Sequence, residues 1–328
     1  MREIQKYFRI TGCLLVFILV SSVSAQTLDD AKTLYNEGGT AVQEGNIELA
    51  VQKFNEAMDI CSKLYDEEED IDAESLMISI QDKMPRLYYQ LSINKLKEKD
   101  INTGLEYAVK AKEAANEYGD NETLEKSKEL LGKVYYSIAL SKYKAEKFDE
   151  SLAELDKAID ESNDLKAYNL KLVILKDQGN DESFMEAGKA AIAAAEAAND
   201  AESKEKFVQF VGNHFFNEGV IAKQTSEYEK ALKNTLISLD FNPENADAYF
   251  LLTTIYNAQS DWDKAISAAK EGLKYETNGN QARFNYELGN AYYGKGDNAA
   301  ACEAYSKAAV GEYTENANYQ MEHVVKCN

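Results

Sequence analysis

Residues 246–279 of the chain read ADAYFLLTTIYNAQSDWDKAISAAKEGLKYETNG, and the preceding residues 212–245 read GNHFFNEGVIAKQTSEYEKALKNTLISLDFNPEN. The two stretches are adjacent and equal in length, and they share one order of aromatic, small and apolar positions. Self-similarity at a fixed period of this length indicates a repeat protein. In such a protein each unit is short and packs mainly against its neighbours.

Both stretches resemble the tetratricopeptide repeat, a helix–turn–helix unit of about 34 residues with a characteristic pattern of aromatic, Gly, Ala and Pro positions. Pro243 occupies position 32, the proline position of that pattern. The resemblance extends over nearly all of the chain after Ala25, and it implies an all-α fold: a right-handed superhelical solenoid of repeats with a C-terminal capping helix. The seven units start at Ala31, Pro85, Gly132, Leu165, Gly212, Ala246 and Ala282.

Small side chains recur at the two repeat positions where helices must approach each other closely. Thirteen of the fourteen residues at positions 20 and 27 are small, as a short distance between crossing helices requires. The exception is Phe184 in repeat four, which also has Leu172 in place of Gly. Position 20 holds Ala50, Gly104, Ser151, Phe184, Ala231, Ala265 and Ala301, and position 27 holds Ala57, Ala111, Ala158, Ala191, Ser238, Gly272 and Ala308.

The repeat starts are unevenly spaced, with the longest intervals after the first, second and fourth starts. We therefore predict that the second helix of these three repeats, or the loop after it, is extended. The first extension contains the acidic residues 66–72, which we interpret as a solvated loop before a helix that runs to about Met84. A Ca²⁺ site is the alternative, but the run lacks the glycine and the ligand order of a dedicated loop.

The array is predicted to span residues 26–313, and residues 314–328 are predicted to form the capping helix. Residues 314–327 read as one amphipathic helix. Terminal helices of this kind cover the apolar end of a repeat stack. Its apolar face holds Ala317, Met321, Val324 and Val325.

The N-terminal segment, residues 1–25, has the organisation of a secretory signal peptide, with cleavage predicted after Ala25. The apolar run, residues 14–20, is far shorter than the roughly 20 residues that cross a bilayer. A lipoprotein is the alternative, but Cys13 precedes the apolar run instead of following it. We therefore expect an exported protein in the periplasm, with an extracellular or surface-associated location as the alternative. The basic residues before the run are Arg2, Lys6 and Arg9.

The chain is acidic, with 36 basic and 57 acidic residues and a formal charge of −21. Loss of residues 1–25 removes three basic residues and one acidic residue, which leaves −23. A chain with this charge offers no basic field to a phosphate backbone, so we expect no nucleic-acid partner. No segment after Ala25 approaches transmembrane length.

Few residues could carry catalysis or hold a cofactor. The chain after Ala25 contains no Gly-x-Ser-x-Gly, P-loop, His-Glu-x-x-His or Gly-x-Gly-x-x-Gly motif. The histidines, His214 and His323, are far apart in the sequence. We expect a protein that is not an enzyme and that binds no cofactor.

Three residues near the C-terminus form the most distinctive constellation. Cys302 lies on the last helix B and Cys327 closes the capping helix, while His323 is one helical turn from Cys327. A Cys–His–Cys zinc site and free thiols are open alternatives, but export to an oxidising compartment favours a Cys302–Cys327 disulfide. Cys61 is then the lone free thiol. The ending also resembles exported bacterial tetratricopeptide proteins with Ala-Cys-x-Ala-Tyr, here residues 301–305, before a terminal Lys-Cys.

The resemblance implies that the first helix of each repeat, helix A, lines a concave groove with its positions 2, 5, 6, 9, 12 and 13. Six aromatic residues at position 5 and several Asn residues accompany an excess of basic over acidic side chains at these positions. The alternative is that the rings are packing residues of the family and the lysines are solvated. The basic residues are Lys32, Arg86, Lys97, Lys133, Lys144, Lys166, Lys176, Lys223 and Arg283, and the acidic ones are Asp177, Asp247 and Glu287.

We therefore predict an exported, non-catalytic scaffold that binds an acidic protein or extended peptide in this groove. A carbohydrate or cell-wall glycan binder, with tyrosines as stacking platforms, is the alternative. The clamp that holds chaperone C-termini in this family is not present, because only Lys133 fits its pattern. The predicted contact residues are Tyr89, Lys133, Tyr136, Lys144, Lys166, Asn169, Asn217, Asn257, Arg283, Tyr286 and Asn290.

Overall fold

The computed structural model describes residues 27–277 and 279–327. The predicted signal peptide lies outside these residues. Within them the chain is helical without any β-strand, so the predicted all-α class is confirmed. The helices are α1 (Leu28–Gln43), α2 (Ile47–Glu68), α3 (Ile71–Gln81), α4 (Met84–Lys97), α5 (Ile101–Tyr118), α6 (Asn121–Lys144), α7 (Phe148–Ser162), α8 (Leu165–Asp177), α9 (Asp181–Ala197), α10 (Ala201–Gln224), α11 (Tyr228–Phe241), α12 (Ala246–Ala258), α13 (Trp262–Tyr275), α14 (Gln281–Lys295), α15 (Asn298–Ala308) and α16 (Thr314–Tyr319).

The described part of the chain contains seven helix pairs, and each predicted repeat start falls within the first helix of one pair. Helix A of the successive repeats is α1, α4, α6, α8, α10, α12 and α14, and α3 is an additional helix after the first pair. The chain forms two compact units, one ending at Lys128 and the other beginning at Glu129. None of the described helices is both long and apolar enough to cross a membrane.

Each unit has its own apolar core. In the first unit, Phe54, Ile80 and Leu91 are buried between α1, α2, α3 and α4. In the second unit the buried residues form clusters that follow the helix pairs, such as the one around Phe184 and Phe215. This distribution is typical of a repeat protein, in which each pair buries its apolar face against the next one.

All fourteen residues at positions 20 and 27 are buried, as the packing argument requires. In repeat four, Phe184 is fully buried and its ring contacts those of Phe215 and His214 on α10, at centroid distances of 6.0 and 4.7 Å. The close approach in this repeat moves to Gly188, where a Cβ would lie 2.7 Å from a methyl group of Val211. A large residue at position 20 is therefore compensated by a glycine one turn later.

We expect Gly272→Ala to lower the free energy of unfolding by about 2 kcal/mol, because overpacking a close contact costs roughly this much. A Cβ at Gly272 would overlap the buried Phe284 ring and lie 2.9 Å from the Tyr249 Cβ. Gly39→Ala is the matched control, since its Cβ would meet nothing within 4 Å and should stabilise α1 by about 0.5–1 kcal/mol. Urea titration of both variants measures the difference, and equal shifts would contradict the packing argument.

The prediction that helix B or its following loop is extended in three repeats is wrong for two of them. Helices α6 and α10 have 24 residues each and begin at Asn121 and Ala201, well before the predicted starts Gly132 and Gly212. Most of the additional residues are therefore turns at the N-terminus of helix A. The aspartate just before each of these helices fixes the residue at which the helix begins. Its side-chain oxygen accepts hydrogen bonds from the first N–H groups of the helix, which have no partner within the helix.

The acidic residues 66–72 are also not a loop. Helix α2 continues to Glu68, and two residues separate it from α3: Glu69, which is left-handed, and Asp70. The Asp70 carboxylate accepts hydrogen bonds from the N–H groups of Asp72 and Ala73 at 2.9 and 3.0 Å, and so caps α3. The predicted helix up to Met84 ends instead at Gln81, and Met84 begins α4.

Repeats two and three match repeats four and five in the order and lengths of their helices. The lengths are nearly equal in the two modules, which are residues 85–164 and residues 165–244. Left-handed residues fall at equivalent places, such as Lys99 and Gly179, with φ of 66° and 68°. The two modules therefore share one helix–turn–helix plan.

The predicted single capping helix changes its winding along its length. A 3₁₀ turn, Gly311–Tyr313, precedes α16, and a π-helix, Gln320–Val325, follows it. Ala317 and Val325 are buried against Tyr305 and Ala308 of the last repeat, so the segment covers the end of the array as predicted. Val325, in the π-helix, belongs to this core.

Candidate functional site

Three of the predicted contact residues lie together in the second unit. Tyr136, Lys166 and Asn169 line an open cavity of about 310 Å³, together with residues from the first turns of α10. Asp164 fixes the start of α8, because its carboxylate accepts a hydrogen bond from the Lys166 N–H at 2.9 Å. The Lys166 side chain is exposed and forms no ion pair with any described residue. The cavity therefore combines a free cation, an amide and a ring.

Other predicted residues of this unit present polar groups to solvent. Lys144, in the last turn of α6, and Asn217, on α10, are exposed. Lys133 forms an ion pair with Glu129 at 2.6 Å, in which both side chains are about two-thirds exposed. An exposed pair of this kind contributes only a few tenths of a kcal/mol, so a ligand could displace Glu129 at little cost.

In the first unit, Tyr89 lines a separate cavity of about 430 Å³ between α4 and the first turns of α6. The cations beside it are Arg86, Lys97 and Lys126. Arg86 pairs with Asp120 at 3.1 Å, whereas Lys97 forms no ion pair with a described residue. The two cavities thus hold similar chemical groups.

The predicted asparagines of repeats six and seven are engaged within the protein. Asn257 Nδ2 donates hydrogen bonds to the Glu287 carbonyl oxygen at 3.1 Å and to Glu287 Oε2 at 2.7 Å. Asn290 Nδ2 donates to the same carboxylate at 3.2 Å, and Asn290 Oδ1 accepts a hydrogen bond from the Tyr305 hydroxyl at 2.7 Å. These amides orient Glu287 and anchor Tyr305 to α14.

The predicted ring of repeat seven, Tyr286, is likewise part of the packing. It contacts the rings of Tyr305 and Tyr313 at centroid distances of 5.6 and 5.5 Å. Burial, reinforced by the negative charge of Glu287, raises the pKa of the Tyr305 hydroxyl strongly, which keeps it a neutral hydrogen-bond donor.

Arg283 does not offer its charge to a ligand. Its guanidinium pairs with Asp247 at 2.6 Å and with Glu276 at 2.6 Å, and it stacks over the Phe250 and Phe284 rings at 5.0 and 5.1 Å. Only 2% of the Glu276 side chain is exposed. Arg283 is therefore a structural link between the ends of α13 and α14, and in the second unit the exposed positive charge of helix A is concentrated in repeats three to five.

The residues that sequence reasoning missed lie on the additional first turns of α6 and α10. Thr123, Lys126, Ser203, Lys206 and Phe207 line the two cavities but precede the repeat pattern. A local signal was present in the sequence, because Asp followed three residues later by Thr or Ser is typical of a helix start.

The structure joins Cys302 to Cys327 in a disulfide, with 5.7 Å between the Cα atoms. Among residues 27–277 and 279–327, no group of three or more His, Cys, Asp or Glu side chains could hold a metal ion. Cys61 is buried as a free thiol, and burial raises its pKa. A thiol with a raised pKa is a poor nucleophile, so Cys61 has a packing role.

Residues 254–317 match the family model described as tetratricopeptide repeat. No curated protein matches the chain. Similar solved structures include the MamA protein, with 19% identity over 59% of this chain and 96% of that chain and a TM-score of 0.31. YrrB, described as a TPR protein with an unusual peptide-binding site, has 18% identity over 58% of this chain and 88% of that chain, with a TM-score of 0.29. The TPR2AB-domain–pHSP90 complex of yeast Sti1 has 14% identity over 90% of this chain and 95% of that chain, with a TM-score of 0.31.

The family match and the seven helix pairs, with buried residues at positions 20 and 27, agree with each other. Residues 254–317 therefore carry tetratricopeptide repeats, and the other helix pairs follow the same helix–turn–helix plan.

Proposed function

We propose that the protein is a non-catalytic scaffold that binds an acidic, extended protein segment along helices A of repeats three to five. The observation that carries this proposal is the set of lysines on these helices that form no ion pair with a described residue. They lie on a chain whose formal charge is −21, so they make a local positive surface on an otherwise acidic protein. The set comprises Lys144, Lys166, Lys176 and Lys223.

Neighbouring side chains suit an extended peptide. Exposed amides of Asn169, Asn213 and Asn217 can pair with the backbone N–H and C=O groups of a ligand strand. The half-buried rings of Tyr136 and Phe216 add contact area with little loss of side-chain entropy. Such a surface favours a segment that has acidic side chains and an extended backbone, whose N–H and C=O groups are available for hydrogen bonds.

The glycan alternative has less support from the ring positions. Tyr35 packs on Phe54, Phe250 on Phe284 and Tyr286 on Tyr305, at centroid distances of 5.5, 5.6 and 5.6 Å. Rings engaged in this way are poor stacking platforms for a sugar. We therefore propose a protein ligand instead of a glycan.

The triple variant Lys133→Glu, Lys144→Glu and Lys166→Glu is expected to weaken binding of a fluorescein-labelled Glu/Asp-rich peptide at least tenfold, or about 1.4 kcal/mol. Several exposed charges act together here, so raising the salt concentration should weaken binding to the parent protein as well. Fluorescence anisotropy measures both effects. The charge-matched control is Lys189→Glu, Lys230→Glu and Lys233→Glu on α9 and α11. Equal losses in the two triple variants, or no loss in either, would refute the proposed surface.

We also propose that the protein is exported after removal of residues 1–25. The charge and apolar pattern of that segment supports this, and so does a disulfide, which persists in an oxidising compartment. Intact-mass measurement of the protein isolated from its own cells should give a chain that begins at Gln26. A mature chain that retains Met1 or Arg2 would contradict export by this route.

A further inference from the structure

The cations and the helix-start residues of the two cavities described above occupy equivalent places in the two modules, residues 85–164 and residues 165–244. In each, a basic residue at position 2 of one helix A faces the first turns of the next helix A. The basic residues are Arg86 in the first cavity and Lys166 in the second, at the same place in each module. Each cavity also holds a half-buried tyrosine, but not at the same place in the repeat: Tyr89 lies on the same helix A as Arg86, whereas Tyr136 lies on α6, the helix A before Lys166.

The first turns of α6 place the remaining groups of the first cavity. The Asp120 carboxylate accepts hydrogen bonds from the Thr123 N–H at 3.1 Å and the Thr123 hydroxyl at 2.7 Å. One turn on, Lys126 pairs with Glu122 at 2.5 Å. Lys126 and Arg86 both line the cavity.

The first turns of α10 reproduce this arrangement in the second cavity. The Asp200 carboxylate accepts hydrogen bonds from the Ser203 N–H at 2.9 Å and the Ser203 hydroxyl at 2.7 Å. Lys206 pairs with Glu202 at 2.6 Å, as Lys126 does with Glu122. The cap, the acid, the hydroxyl and the lysine thus recur in the same order at each site.

We propose that the two cavities are equivalent subsites for side-chain carboxylates, so that the chain binds two acidic segments, one in each module. This inference rests on the proposed function but adds a second site in the first unit and a stoichiometry. At each subsite the position-2 cation and the lysine of the next helix A receive the carboxylate. The tyrosine contacts the adjoining part of the segment.

The acidic groups near each site do not prevent this. Asp120 and Asp200 are held by the N–H and hydroxyl groups of their own helix starts. The Lys126–Glu122 and Lys206–Glu202 pairs are exposed, with the lysine side chains 52% and 69% exposed. Each pair contributes only a few tenths of a kcal/mol, so an incoming carboxylate can replace the glutamate. Arg86, though paired with Asp120, is 70% exposed and retains unused guanidinium donors.

Folding alone accounts for only part of the recurrence. An aspartate cap and a hydroxyl three residues later stabilise the start of a long helix. In the first cavity the position-2 Arg86 also pairs with the Asp120 cap at 3.1 Å, but Lys166 forms no ion pair with a described residue, so its charge adds nothing to the Asp200 cap. The basic residue at position 2 recurs as Lys166, beside Lys206. Two cations therefore lie at one cavity of an acidic chain, which is the arrangement that an anionic ligand requires.

Calorimetric titration of the full chain with a short, C-terminally amidated Glu/Asp-rich peptide tests the proposal. The intact protein is expected to bind two equivalents, and Arg86→Gln/Lys126→Gln and Lys166→Gln/Lys206→Gln one equivalent each. The combined variant should bind none, and an amidated Gln/Asn-rich peptide should not bind the intact protein. The control Lys189→Gln/Lys230→Gln should keep two equivalents, and circular dichroism should show unchanged helix content in every variant.

One equivalent on the intact chain, lost in Lys166→Gln/Lys206→Gln alone, would overturn the subsite at Arg86 and Lys126 and leave the proposed function standing. Binding that no variant changes would overturn both. Equal binding of the Gln/Asn-rich peptide would overturn the carboxylate chemistry.

Discussion

Replacing Arg283 with methionine is expected to lower the free energy of unfolding by about 3–5 kcal/mol, the loss typical of breaking a buried ion pair from one side. The substitution keeps an unbranched apolar stem over the Phe250 and Phe284 rings but removes the guanidinium from Glu276. Because the Glu276 side chain is only 2% exposed, its carboxylate cannot recover the lost interaction from water. Urea titration with circular dichroism measures the loss.

Two control variants separate the buried charge from the exposed one. Asp247→Asn removes the other partner of Arg283, but Asp247 is 61% exposed, so the expected loss is below about 1 kcal/mol. The double variant Arg283→Met/Glu276→Gln also removes the buried carboxylate charge and should be more stable than Arg283→Met alone. If Arg283→Met matches Asp247→Asn, the buried pair is not the link between α13 and α14 that its geometry indicates.

The helix pairs could be predicted from sequence because the closest contacts require small residues. Ala265 and Gly272 lie at positions 20 and 27 of repeat six, and both are buried where helices approach. Only small side chains fit at such positions, so the requirement appears in the sequence as small residues at regular intervals. Gly272 is the clearest example, since even one methyl group would overlap Phe284.

The lengths of α6 and α10 could not be predicted in the same way. The repeat pattern describes the part of helix A that packs in every repeat, whereas the additional turns begin at local caps on Asp120 and Asp200. Those caps are readable in the sequence as Asp before Thr or Ser, but only when helix starts are sought independently of the repeat. The cavities beside these turns were missed for the same reason.

The candidate site shows a second limit of sequence reasoning. Of the residues predicted from their position on helix A, Lys166 and Asn169 are exposed, whereas Asn257 and Asn290 are engaged within the protein. It did not indicate their partners, because the partner of Arg283 is Glu276, in the segment between α13 and α14. A charge count over helix positions therefore overestimates the positive charge that a ligand meets in the last two repeats.

Loss of the Cys302–Cys327 disulfide is expected to lower the free energy of unfolding by about 3 kcal/mol in the chain-entropy model. The bond joins residues that are 25 positions apart, α15 on one side and the end of the capping segment on the other. Without it, the unfolded chain gains the conformational freedom of the whole loop. The double variant Cys302→Ser/Cys327→Ser, compared with the oxidised parent in urea, measures the loss.

The effect should be local, because the disulfide closes only the last repeat and its cap. The buried surface that it secures consists of Ala317 and Val325 against Tyr305. Since each repeat interacts mainly with its neighbours, amide hydrogen exchange should accelerate first at residues 317–325 and in α15, with α8 and α9 unchanged.

A reducing agent should produce the same change in the parent protein but none in the double Ser variant. Cys61 is already a free thiol, so it adds no second effect of reduction. Uniform acceleration along the described helices would show that the bond supports the array as a whole, and unchanged exchange would show that apolar packing alone holds the cap.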